Sequence, residues 1–130
     1  MISMETITTN GIRISVETFY QPEQSRPLEQ KFIFAYRITI ENRSTDTVQL
    51  LRRHWFIFDS NGIKREVEGE GVVGLQPVLE PNESHQYTSW CPLKTEIGKM
   101  NGAFLMQRAS GGLFDARIPE FRLVAPQKMN

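Results

Sequence analysis

A period of two dominates this chain and limits its fold more than any other feature. Across residues 31–40, Phe32, Phe34, Tyr36, Ile38 and Ile40 alternate with Lys31, Ile33, Ala35, Arg37 and Thr39. Successive strand side chains point to opposite faces, so the aromatic and isoleucine set is expected to face a core. Ile12, Ile14 and Val16 alternate in the same way. Residues 55–58 are nearly all apolar, which fits a central strand buried on both faces or one carrying a bulge.

Turn chemistry separates these runs. Asp59-Ser60-Asn61-Gly62 places Asn-Gly between two strand-like segments, a strong hairpin signal. Residues 41–46, 81–84 and 110–112 read as further polar turns. Later strands are expected over 85–90, 100–108, 113–118 and 121–124, with Pro119 marking an edge or a bulge. Residues 22–28 carry two prolines and read as a loop. No helix of ordinary length is expected. About seven or eight short strands with frequent turns predict an all-β, antiparallel β-sandwich. Leu79-x-Pro81 followed by Tyr87 fits, loosely, the turn-and-tyrosine pairing of such sandwiches. The chain's 130 residues suit one domain, placed at 11–126 between flexible ends at 1–10 and 127–130.

Charge excludes some partners. Fifteen basic residues balance fifteen acidic ones, so no overall field favours nucleic acid, an anionic membrane or an acidic ligand, which leaves only local clusters. Cys91 is the only cysteine, so no intrachain disulfide can form, and the reading is a reducing, cytoplasmic compartment. Residues 1–9 lack the basic and apolar regions of a secretory signal.

One segment suggests a ligand. Gly69-Glu70-Gly71-Val72-Val73-Gly74 matches the spacing G-x-G-x-x-G. A dinucleotide fingerprint needs a strand, the glycine turn and a following helix whose free N–H groups meet the pyrophosphate. Pro77 and Pro81 follow too closely for that helix, and the P-loop lysine is absent. A backbone nest for an anion needs no helix, and Arg52, Arg53, Lys64 and Arg65 supply nearby charge. Against it stand Glu68 and Glu70, since a like-charge contact at ~4 Å costs roughly 1–4 kcal/mol. The competing reading is structural, with the glycines providing positive φ, a bulge or close packing at a sandwich corner.

Other candidates are weaker. His54, His85 and Cys91 cannot supply one local four-ligand zinc cluster, and no metal ligand is assigned. A looser divalent site combining His54 or His85 with Glu68, Glu70 or Glu83 is the residual metal reading, against His54 packing beside Trp55. Cys91 lies between Trp90 and Pro92 with no sequence sign of a base, so no catalytic residue is assigned. In Arg52-Arg53-His54-Trp55, alternation places Arg53 with Trp55 and Arg52 with His54.

The stretch Val67-Glu68-Gly69-Glu70-Gly71-Val72-Val73-Gly74-Leu75-Gln76-Pro77 resembles the signature of the bacterial ApaG family, also called CorD. So do Phe34-Ala35-Tyr36, Val48-Gln49-Leu50-Leu51-x-Arg53, Tyr87-Thr88-Ser89 and Ile118-Pro119-x-Phe121-x-Leu123, in the family's order. The resemblance implies a fibronectin type III-like, immunoglobulin-like sandwich. It implies no established enzymatic reaction and no cofactor. The family's names come from a neighbouring dinucleoside polyphosphate hydrolase gene and from cobalt and magnesium phenotypes. Similar domains in larger eukaryotic proteins look like interaction modules.

The sequence therefore yields an expectation of a non-catalytic module binding a protein or another ligand. The alternative is a pyrophosphate or nucleotide binder using Gly69, Gly71 and Gly74 with Arg53 and Lys64. A role linked to divalent cobalt or magnesium ranks third. No nucleic acid or membrane is expected as partner, and the sequence does not set an oligomeric state.

Overall fold

The alternating segments become strands of two packed antiparallel sheets in the computed structural model, which describes residues 4–126. In chain order they are β1 (Met4–Thr9), β2 (Ile12–Tyr20), β3 (Phe32–Asn42), β4 (Val48–Asp59), β5 (Lys64–Glu70), β6 (Val78–Leu79), β7 (Ser84–Leu93), β8 (Ile97–Arg108) and β9 (Leu113–Val124). One sheet runs β1-β2-β3-β7. The other runs β5-β4-β8-β9, with β6 pairing the start of β4 beyond β5. The only helical turn among the described residues is a 3-10 turn, Pro27–Glu29, inside the expected loop. No helix of the described residues is long and apolar enough to cross a membrane.

The core follows the alternation. Ile12, Ile14, Val16, Phe34, Tyr36, Ile38 and Ile40 are all buried, and they meet Trp55, Phe104, Phe121 and Leu123 of the opposite sheet. Trp55 stands edge-on to Tyr36, Phe104 and Phe121, with ring centroids 5.3, 6.3 and 5.9 Å away. Such geometries add roughly 0.5–1.5 kcal/mol per pair beyond area burial. The strand around residues 55–58 is central and carries a bulge between Leu50 and Arg52. It nonetheless alternates: Trp55 and Ile57 are buried, while Phe56 and Phe58 lie half-covered on the outer face.

Two expectations change. Sequence alone predicts a flexible N-terminal segment, yet residues 4–9 form β1, paired residue for residue with β2. Residues 1–3 and 127–130 lie outside the described residues. The expected strands 113–118 and 121–124 are one continuous β9. Pro119 sits where its register against β8 shifts, and β9 is an edge, so its missing N–H breaks no inner ladder. The expected Asn-Gly hairpin forms between β4 and β5, with a three-residue loop. Gly62 donates to the Asp59 carbonyl at 3.0 Å with φ 91°, which places the positive-φ residue after a tight turn.

The two sides of the sandwich differ. On one side β1 and β2 pack against β9, and the Arg117 amide reaches Thr9 Oγ1 at 3.3 Å. On the other side the edges β5 and β7 flank an opening.

Candidate functional site

Between β5 and β7 lies a cleft of about 430 Å³. Tyr36 and Trp55 form part of its floor, and Arg53, Arg65, Tyr87 and Ser89 give it polar groups. Alternation explains this set. Arg53 shares the inward face of β4 with Trp55, and Arg65 shares the inward face of β5 with Val67. Along β7, Tyr87, Ser89 and Cys91 point the same way.

The glycine segment is built around Arg53. Its guanidinium Nη1 donates to the carbonyls of Glu70 and Gly71 at 2.8 and 3.0 Å. A Cβ on Gly69 would lie 2.7 Å from Arg53 Nη2, so the bare backbone at Gly69 is what lets the guanidinium rest there. The neighbouring amides turn elsewhere. Gly71 N–H donates to the Leu51 carbonyl at 2.9 Å, and Val72 and Leu75 exchange amide hydrogen bonds at 2.8 and 3.0 Å. Between them Val73 and Gly74 have φ 46° and 76°, the two positive values of a type I′ turn. The segment thus aims carbonyls at an arginine and spends the amides of Gly71, Val72 and Leu75 internally.

Of the sequence-derived site residues, Arg53, Gly69 and Gly71 come together, and Gly74 lies in the adjoining turn. Lys64 does not join them. It begins β5, seven residues or roughly 23 Å of strand from Gly71, with its Nζ 5.8 Å from the Phe58 ring centroid. The expected repulsion from Glu68 is also displaced. Glu66 and Glu68 project from the outer face of β5, where they flank His54 at 2.8 and 3.1 Å. His54 accordingly lies beside Phe56, ring centroids 4.5 Å apart, and not against Trp55.

His54, Glu66 and Glu68 bring three ligand-type atoms within 4.8 Å of one another. Both imidazole nitrogens face carboxylates, and both can donate only in the protonated ring. These three side chains are the ones that could offer ligands to a cation, and with the ring protonated the same contacts are ion pairs.

Electrostatics mark the cleft. The Tyr87 hydroxyl is sealed from solvent and has no hydrogen-bond partner among the described residues. A tyrosine reaching back to the turn after Leu79-x-Pro81 would have one, so the turn-and-tyrosine expectation does not hold here. Burial pushes the Tyr87 phenol well above its ordinary range. Burial also raises Tyr36, partly opposed by the Ser89 hydroxyl. Cys91 is pushed up to about 11, chiefly by burial, with Arg65 opposing. Arg65 Nη2 donates to the Pro92 carbonyl and lies 3.7 Å from Cys91 Sγ. Among the described residues neither Arg53 nor Arg65 has a carboxylate partner.

Sequence reasoning missed Tyr36 and Ser89 as cleft residues and read Tyr87 as a strand tyrosine paired with the turn after Leu79. The available signal was the inward face of β7, where Tyr, Ser and Cys replace the larger aliphatics of β2 and β3. A core face so composed is only partly covered.

The chain resembles known proteins over most of its length. A family model described as the ApaG domain matches residues 22–108, from the loop before β3 to the end of β8. Protein ApaG of Brucella anthropi is 52% identical over 120 residues, covering 92% of each chain. Protein ApaG of Brucella abortus strain S19 is 47% identical over 125 residues, covering 96% of each. A crystal structure of a Bordetella pertussis protein named as ApaA superposes with a TM-score of 0.85 at 39% identity, covering 98% of this chain and 97% of that one. With a family match over most of its length and relatives near half identity, this chain belongs to the ApaG domain family.

Proposed function

We propose that this protein is a non-catalytic binding module whose partner engages the cleft between β5 and β7. One observation carries the reading: an open cleft is lined by two guanidinium groups that have no carboxylate partner among the described residues, next to a Tyr87 whose buried hydroxyl is also unpartnered among them. Buried polar groups are nearly always paired, so such a cluster at an opening is the surface of a recognition site. The chemistry of the cleft supports binding over turnover. Its one thiol is held protonated near neutral pH by burial, and His54 lies on the far face of β4. The reducing compartment suggested by the lone cysteine supports a cytoplasmic location. A pull-down at native salt with wild-type protein and Arg65→Glu tests the reading. Loss of a retained partner in the variant is expected. Retention of nothing by the wild type, or equal retention by both proteins, sinks it.

The second reading, a pyrophosphate or nucleotide binder, draws support from Arg53 and Arg65 lining one cleft. It rests on side chains, since the Gly71 amide is committed to Leu51. Calorimetric titration with pyrophosphate and a dinucleoside polyphosphate decides it: no heat at millimolar ligand removes it.

A further inference from the structure

The four outer edges of the two sheets are unequally defended. An exposed edge strand is a template for pairing, and proteins blunt it with charges, prolines, bulges or a covering element. β5 carries Lys64, Arg65, Glu66, Glu68 and Glu70. β9 carries charges, Pro119 and a register shift, and β1 packs against it. β7 has none of these defences over its first eight residues, Ser84 to Cys91: no Asp, Glu, Lys, Arg or Pro.

The ladder phase shows which β7 groups face outward. The Asn42 amide donates to the Glu83 carbonyl at 2.9 Å, and Gln21 donates to Ile33 at 2.8 Å on the other side of β3. Antiparallel pairs alternate, so residues 85, 87, 89 and 91 bond to β3. The N–H and C=O groups of Gln86, Thr88 and Trp90 point away from it. None of these backbone groups has a partner among the described residues. Trp90 stands beside them, 51% exposed.

This edge borders the cleft. A strand added along β7 would lie ~4.8 Å from it, and every second side chain would project toward Arg53 and Arg65. Charges are sorted by face: the arginines line the cleft, while Glu66 and Glu68 are held on the outer surface by His54. An inward carboxylate would therefore meet two guanidiniums, with no carboxylate among the described residues opposing it on that face.

We propose that β7 is a strand-addition edge for an extended acidic polypeptide segment, whose alternate Asp or Glu side chains enter the cleft and pair with Arg65 and Arg53. The inference rests on the binding-module reading and names its partner class. Main-chain hydrogen bonds to Gln86, Thr88 and Trp90 supply affinity, and the arginines supply sequence preference.

The test uses a blocked Thr- and Val-rich peptide of about ten residues with a central Glu-Thr-Glu, and its Gln-Thr-Gln counterpart. Amide hydrogen exchange followed by NMR is the readout. The Glu peptide is expected to slow exchange at Gln86, Thr88 and Trp90 and to bind roughly tenfold more tightly than the Gln peptide. Arg65→Gln should erase that preference while leaving the protection. Thr88→Pro should remove the protection while the fold persists, because the lost N–H faces outward. Absence of protection at millimolar peptide overturns the proposal, as does equal binding of the two peptides. Concentration-dependent protection of the same amides without peptide would assign the edge to a second copy of the chain, and also overturns it. A pull-down partner lost in Arg65→Glu but retained by Thr88→Pro would refute strand addition and leave the binding module standing.

Discussion

Replacing Tyr87 by Phe removes one oxygen and leaves the ring where it packs, with centroids 6.4 Å from Phe104 and 6.3 Å from His85. The hydroxyl it deletes is buried and unpaired among the described residues. Leaving a buried donor and acceptor unsatisfied costs about 1–3 kcal/mol, so Tyr87→Phe should stabilise the protein by up to that amount. For a chain of 130 residues, 1 kcal/mol corresponds to about 4 °C in Tm. The expected rise is therefore about 4–11 °C, read by thermal unfolding and checked by urea denaturation with an unchanged m-value. A variant less stable than wild type by about 1 kcal/mol would refute the reasoning, because it would mean that the hydroxyl holds a net favourable hydrogen bond in the folded protein.

Other perturbations follow from the same geometry. Val73 is β-branched at φ 46° in an exposed turn, so Val73→Asn or Val73→Gly should gain about 1 kcal/mol in chemical denaturation. Gly102 faces the His54 backbone so closely that a Cβ would overlap its carbonyl oxygen, and Gly102→Ala should cost ~3 kcal/mol or more, visible as a collapse of Tm. The folded-state pKa of Cys91 is raised from 9.0 to about 11. Its contribution to stability is therefore complete below pH 9 and falls as pH rises through about 11, by roughly 2–3 kcal/mol. Cys91→Ala should flatten that alkaline limb of a stability–pH curve.

Legibility in the sequence followed burial. The β2 and β3 core faces were readable because Ile, Val and aromatic side chains repeat at period two and all turn inward. β1 was not, because Met4–Thr9 is mostly exposed and is held by its pairing with β2 and its packing against β9. Hydrophobic periodicity carries no record of such edge contacts. β9 reads as two strands because proline ordinarily ends one, and nothing in the local sequence tells an edge from an inner position. At the site, the glycine spacing was visible but its sense was not. A bare backbone serves equally for converging amides or for a resting guanidinium, and the Arg53 partners are main-chain carbonyls that residue types do not encode. Tyr87 was legible as a strand tyrosine. That its hydroxyl lacks a partner is a property of how the two sheets pack around it.

The seam that joins β1 to β9 also decides how this fold can be handled. Each strand nearest a chain end lies on the side remote from β7, so a tether attached at either end leaves the cleft side unobstructed. Immobilisation through an end on a sensor surface would present the same face to solution as the unattached protein. The same geometry allows the domain to sit within a longer polypeptide and still offer its undefended edge.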